Sequence, residues 1–347
     1  MTESRNLLEH SQSLVHSRSI DGKTVSIKKA DLQGLLEHLS VNRTLVGPVD
    51  TGKVVEFRPA TPFEVLTDDR VSYKSIKEFY FPQVERMFTF ADGEVVDHTE
   101  LPGVLIFGAR PCDLEALRVM SKVYMDGKYA DPFFQRRYGA NFIIGVGCLE
   151  EKPGCFCDRL GLDKTFSDFC DMMLIDMGEG YAIEYCSEKA KEELRGYGME
   201  VDWENTRQPH PPDVEQITFN LEVPDQAYFD WIDWEEIVQT CLGCGLCSFI
   251  CPTCHCFDFK DVQEKGQVNR YKCWDSCIYP KFTLHASGHN PREHLWERYR
   301  QRVLHKFKYV PTNVGLIACT GCGRCIRSCP VGMNIASIAK HVMEVQP

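Results

Sequence analysis

The pattern of apolar and polar positions predicts a strand-and-helix first half and a helical second half. Residues 31–39 (DLQGLLEHL) repeat apolar side chains at helical spacing, with Asp31 placed to cap the helix. Residues 54–58 alternate as a strand does. Residues 104–108 (VLIFG) form a continuous apolar run ending in glycine, and residues 142–147 (FIIGVG) form another. Between them, residues 113–124 (DLEALRVMSKVY) set Leu114, Leu117, Met120 and Val123 on one helix face, with Asp113 near its start. Strand, helix, strand predicts a βαβ unit whose two strands lie parallel in a buried sheet. Residues 74–90 (KSIKEFYFPQVERMFTF) gather aromatics around Pro82, and their simplest role is core and loop packing. From 205 to 225 the periodicity lapses and prolines collect, which reads as a linker or surface excursion. From Tyr228 onward the chain reads as helical. The expectation is an α+β protein: an α/β domain with a partly parallel sheet over residues 1–222, then a helical domain over residues 223–347.

Composition narrows the function. Hydrophobic residues make up 43% of the 347 positions, enough for a sizeable core, and the formal net charge is −11. That balance opposes a nucleic-acid-coating role, which needs basic surface to neutralise phosphates, and suits a soluble protein that meets other proteins. No run reaches the roughly 18 uncharged apolar residues that span a bilayer. Residues 1–19 carry Glu3, Arg5, Glu9 and Arg18 without an apolar stretch, so they resemble neither a secretory signal nor a transit peptide. A cytoplasmic location is expected. There the 18 cysteines stay reduced, and metal binding is the better reading than a disulfide framework.

The cysteines carry the sharpest signal. Residues 241–252 (CLGCGLCSFICP) and 319–330 (CTGCGRCIRSCP) are two copies of C-x2-C-x2-C-x3-C-P. Three thiolates at that spacing wrap one cubic 4Fe-4S cluster, and the fourth cysteine points to the other cluster. The spacing assigns Cys241, Cys244, Cys247 and Cys329 to one cluster, and Cys319, Cys322, Cys325 and Cys251 to the other. Glycines at 243, 245, 321 and 323 let amide groups approach the sulfurs. Two structural zinc sites are the competing reading, but zinc knuckles pair C-x2-C units, whereas a fourth cysteine followed by proline is the iron–sulfur pattern. A third site is expected where Cys112 and Cys148 follow the two parallel strands and Cys155 and Cys157 follow in GCFC, because such strands deliver ligands to one sheet edge. Four thiolates suit a 4Fe-4S cluster there, with zinc or plain packing as alternatives. Cys254, Cys256, Cys273 and Cys277, with His255 and His285 nearby, read as a further metal site, a redox-active thiol pair, or packing around the clusters. Cys170 and Cys186 read as core residues. The basic stretch 292–308 (REHLWERYRQRVLHKFK) reads either as charge compensation for anionic clusters or partner docking, or as a solvated helix face. No G-x-G-x-x-G after a strand and no P-loop occurs, so flavin and nicotinamide cofactors belong on a partner.

These motifs carry a resemblance. With FYFPQVE at 79–85, ARPCD at 109–113, Cys148 and the GCFC loop, CPTCHCF at 251–257, and the second repeat, the chain resembles the iron–sulfur subunit family shared by anaerobic sulfite reductases and sulfhydrogenases, in the latter as the β subunit. The long, largely helical gap between Cys251 and Cys319 is similar to the α-helical ferredoxin type. The resemblance implies an electron-relay subunit of an oxidoreductase. Its partners would be an FAD- and NAD(P)-binding subunit and a separate catalytic subunit of hydrogenase, sulfite reductase or heterodisulfide-reductase type. Cys112, Cys148, Cys155, Cys157, Cys254, Cys256 and Cys277 fall on family cysteines, whereas Cys273 does not obviously match. The alternative is a disulfide- or sulfur-reducing subunit with its own redox site at Cys254/Cys256.

Overall fold

A computed structural model describes residues 25–98, 102–195, 197 and 214–344. The residues weighed as a leader (1–19) and much of the proline-rich stretch (205–213) lie outside the described residues. The first half is built on a seven-stranded sheet: β1 (Val25–Lys28), β2 (Thr44–Asp50), β3 (Val55–Pro59), β6 (Val104–Ala109), β7 (Phe142–Val146), β8 (Met172–Asp176) and β9 (Gly180–Tyr185). Their order is β1-β9-β8-β7-β6-β2-β3. The central strands β2, β6, β7 and β8 run parallel, and the outer pairings are antiparallel. The sheet is partly parallel and the first half mixed α/β, as its apolar runs predict.

Both faces of this sheet are covered, which explains why β6 and β7 read as unbroken apolar runs. Along β6, Leu105 and Phe107 face the leucines of helix Leu32–Leu39, at 32, 35, 36 and 39. Ile106 faces the other way, against Leu114, Leu117 and Met120 of helix Pro111–Met125. Asp31 stands at the N-terminus of the first helix without a side-chain capping bond. The crossover helix begins at Pro111, a favoured first-turn residue, ahead of the predicted start.

A second, antiparallel sheet follows the order β10-β11-β4-β5, with β4 (Val84–Ala91), β5 (Glu94–Asp97), β10 (Phe257–Glu264) and β11 (Gln267–Trp274). Two expectations change here. The aromatic stretch 74–90 does bury Tyr80 and Phe81, but beyond Pro82 it forms strand β4. The segment between the cysteine repeats is not wholly helical, because it opens with the β10–β11 hairpin, which pairs β11 with β4. Its helical part runs through Leu295–Leu304 and continues as a π-helical turn, His305–Tyr309. Among the described residues, no helix is long and apolar enough to cross a membrane.

The two cysteine-bearing regions are joined by a buried ion pair. Arg324, 1% exposed, lies in the second repeat and donates from Nη1 and Nη2 to the Asp113 carboxylate at 2.7 and 2.9 Å. Its Nε donates to the Ser72 carbonyl at 2.9 Å. Asp113 is therefore more than a helix-start residue: it is the counter-charge of a cation from the far end of the chain. Breaking such a pair strands one charge in the interior. Asp113→Ala should cost about 3–5 kcal/mol, while the double change Asp113→Leu with Arg324→Met should recover most of it. Denaturation midpoints of the intact protein check this, and equal midpoints for native and Asp113→Ala chains would contradict it.

Candidate metal centre

The two repeats fold alike. In each, two glycines take positive φ (64° and 74° at Gly243 and Gly245, 60° and 68° at Gly321 and Gly323). Each loop then enters a one-turn helix, Leu246–Phe249 or Arg324–Arg327, that carries the third cysteine. The structure brings Cys241, Cys244 and Cys247 together with Cys329 around one cavity, with Cys325 and Arg302 also in its wall. Cys244 is exposed, so this cavity reaches the surface. Cys251 is buried and lies close enough to Cys319, Cys322 and Cys325 to raise each of their thiol pKa values after burial itself. Each fourth cysteine thus stands with the other repeat's triplet.

A separate cavity gathers Cys112, Cys148, Cys155 and Cys157, with Cys322 of the second repeat in its wall. Cys112 sits in the first turn of the crossover helix and Cys148 follows β7, at the carboxyl edge of the parallel strands. The 153–157 loop is pressed onto the second repeat. Phe156 N–H donates to the Gly321 carbonyl at 2.8 Å, and Arg327 donates to the Pro153 carbonyl at 2.9 Å. A Cβ at Gly321 would lie 2.4 Å from the Cys157 nitrogen, and one at Gly323 would lie 2.4 Å from the Gly154 oxygen. Only glycine admits this approach.

The electrostatics fit thiolates bound to metal. Burial pushes the Cys148 thiol up to about 11 and the Cys157 and Cys319 thiols up to about 12. Thiolates at these depths are costly unless iron or another metal replaces the proton. Besides Arg324, three more cations are buried among the sulfurs. Lys306 donates to Cys251 Sγ at 3.1 Å, and Arg302 donates to Cys254 Sγ at 3.2 Å and the Cys247 carbonyl at 2.9 Å. Lys77 donates to the Phe249 and Cys254 carbonyls and lies 3.8 Å from the Trp274 ring centre. Buried positive charges call for an anionic counterpart, and four-thiolate clusters are anionic overall. Among the described residues, no group of three or more His, Cys, Asp or Glu side chains stands at distances that hold a single metal ion. The thiols border cavities instead.

The remaining cysteines divide. Cys256 accepts hydrogen bonds from Cys277, which hold its thiol below the usual range, and Cys254 lies beside Cys277 and Cys251. Cys273 does not join them. It sits on β11 opposite Asp258 and Val84, and the contacts that link Cys254, Cys256 and Cys277 do not include it. His255 is bonded to the Thr253 carbonyl at 2.9 Å and packs near His305, whereas His285 packs near His289. Cys170 and Cys186 lie 3.8 Å apart between sulfurs, Cys170 buried and Cys186 half-buried. Sequence reasoning passed over Lys77 and Arg324. It left Arg302 and Lys306 undecided, although Arg298, Arg302 and Lys306 recur four apart on one helix face. All three are buried.

Two glycine changes isolate the loop contact. Gly332 has φ 73° and nothing within 4 Å of an added Cβ, so Gly332→Ala should cost only the left-handed strain of about 1–2 kcal/mol. Gly321→Ala adds a backbone clash and should lose clearly more stability, with faster proteolysis in the 153–157 loop. Equal losses in thermal melts would contradict this packing.

Comparison with known proteins follows the same outline. Residues 240–333 match the 4Fe-4S dicluster domain family. The chain is 28% identical over 315 residues to sulfhydrogenase 2 subunit beta of Pyrococcus furiosus, covering 86% of this chain and 92% of that protein. No solved structure matches the chain to a significant degree. The resemblance carried by the motifs therefore stands at two scales: a 4Fe-4S dicluster domain over residues 240–333, within a chain similar through most of its length to a sulfhydrogenase β subunit.

Proposed function

We propose that this chain is the electron-transfer subunit of a sulfhydrogenase-type oxidoreductase and holds three 4Fe-4S clusters. Cys241, Cys244, Cys247 and Cys329 hold the first, Cys319, Cys322, Cys325 and Cys251 the second, and Cys112, Cys148, Cys155 and Cys157 the third. Each cluster supplies one-electron exchange when bound. The observation that carries this reading is Cys322, which borders the third thiol cavity while belonging to the second repeat. Together with Cys325, which borders the first cavity, it supports reading the three thiol sets as one row, from the sheet edge through the second repeat to the exposed Cys244 of the first.

In this reading the protein's own groups exclude water from the middle of the row and supply its counter-charges. Residues 1–222 form the domain that holds the third site, and residues 223–347 form a helical ferredoxin-like domain, with the β10–β11 hairpin as its departure from an all-helical type. The partners are an FAD- and NAD(P)-binding subunit and a catalytic subunit, in the cytoplasm. A second reading, disulfide or sulfur reduction at Cys254/Cys256, draws on the lowered Cys256 thiol. Unchanged turnover of the whole complex after Cys256→Ser would remove it.

Iron analysis tests the leading reading. Anaerobically purified protein should contain about twelve irons per chain, and Cys155→Ser should lose about four of them. A native content of about eight would remove the third cluster, and near-zero iron with stoichiometric zinc would overturn the whole reading.

A further inference from the structure

One buried cation stands directly on a sulfur that the proposed function assigns to a cluster. Lys306 lies in the π-helical turn after Leu295–Leu304 and is 3% exposed. Its three ammonium donors are all placed. One goes to Cys251 Sγ at 3.1 Å, one to Thr253 Oγ1 at 2.8 Å, and one to the Ala318 carbonyl at 2.9 Å. Thr253 Oγ1 stands 3.2 Å from the same sulfur and donates to the Ala318 carbonyl at 2.7 Å. The ammonium therefore joins the last cysteine of the first repeat to the backbone just before Cys319. The corresponding sulfur of the other repeat is served differently: Cys329 Sγ accepts the neutral Met333 N–H at 3.3 Å. Arg302 reaches Cys254 Sγ and the Cys247 carbonyl rather than Cys251.

This asymmetry has an electrostatic consequence. Adding an electron to a thiolate-held cluster increases the negative charge that its sulfurs share. Hydrogen bonds to those sulfurs are among the factors that set the potential, and a bond from a full positive charge is stronger than one from an amide. Burial acts the other way, because it disfavours the more highly charged reduced state. At hydrogen-bond distance in a water-poor interior, however, the cation's field is little screened.

We propose that Lys306 is a positioning residue that raises the reduction potential of the cluster held by Cys251, Cys319, Cys322 and Cys325. The proposal rests on the cluster assignment above. It adds a specific donor and a direction that the cysteine spacing does not contain.

The test is a redox titration of the anaerobically purified full chain, followed by EPR, with iron measured on the same samples. Native protein without stoichiometric iron would fail the cluster reading itself, before Lys306 is at issue. Lys306→Gln keeps a donor and removes the charge. With iron retained, it should lower one midpoint by at least tenfold in the reduction equilibrium, ~59 mV for one electron, and leave the others in place. Lys306→Arg keeps the charge and should restore most of the native value. Unchanged midpoints in Lys306→Gln, an equal shift of all transitions, or Lys306→Arg falling as far as Lys306→Gln would each overturn the proposal. Should Lys306→Gln lose iron, Thr253→Val decides. It removes the hydroxyl that steers the ammonium onto Cys251, and a midpoint still at the native value would overturn the proposal.

Discussion

A guanidinium locked to a carboxylate in the dry interior sets the geometry of everything else. Arg324 and Asp113 are both almost fully buried, and neither is tolerable there without the other. Arg324 follows the glycine of the second repeat, and Asp113 follows Cys112 at the start of the crossover helix. Their bond therefore holds a repeat cysteine and a sheet-edge cysteine in fixed relation. The glycines at 321 and 323 then let the 153–157 loop close over the same point at backbone contact. The third thiol cavity exists because these two constraints meet.

A second theme is where the protein keeps its positive charge. The chain is acidic overall, yet Lys77, Arg302, Lys306 and Arg324 are turned inward among thiols and carbonyls. Surface left behind by inward-facing cations is more acidic than the net charge alone conveys. The interior gains fixed positive charge beside sulfurs that burial would otherwise keep protonated. Lys77, Arg302 and Lys306 also bond backbone carbonyls in or beside the cysteine loops, so the same groups that supply charge hold the loops in shape. That dual role suits a site in which an anionic group must be held rigidly.

How much of this was legible in the sequence depended on whether the signal was local. The βαβ unit was readable because strands covered on both faces are apolar throughout, and the repeats because three thiols and two glycines fix one short loop. Strand β4 was obscured by Pro82 and by a run of aromatics that is apolar without being periodic. The β10–β11 hairpin was obscured because β10 is almost entirely exposed, so burial imposes no alternation on FDFKDVQE. Strand register, which sets Cys273 opposite Asp258 and Val84, is not written in cysteine spacing. Convergence of Cys112, Cys148, Cys155 and Cys157 on one sheet edge could be argued from parallel strands. Their contact with Cys322 could not, because it depends on Gly321 and an ion pair far along the chain. The basic stretch 292–308 allowed two readings, and only packing shows which of its side chains point inward.

The central claim is that three thiol sets form one continuous row of clusters. Low-temperature EPR of the anaerobically purified, chemically reduced chain addresses it most directly. The account expects about three spins per chain with broadened, mutually coupled signals, since the third thiol set shares a wall with the second. Two coupled spins with no third, or a third spin that gives a sharp signal independent of the others, would contradict it.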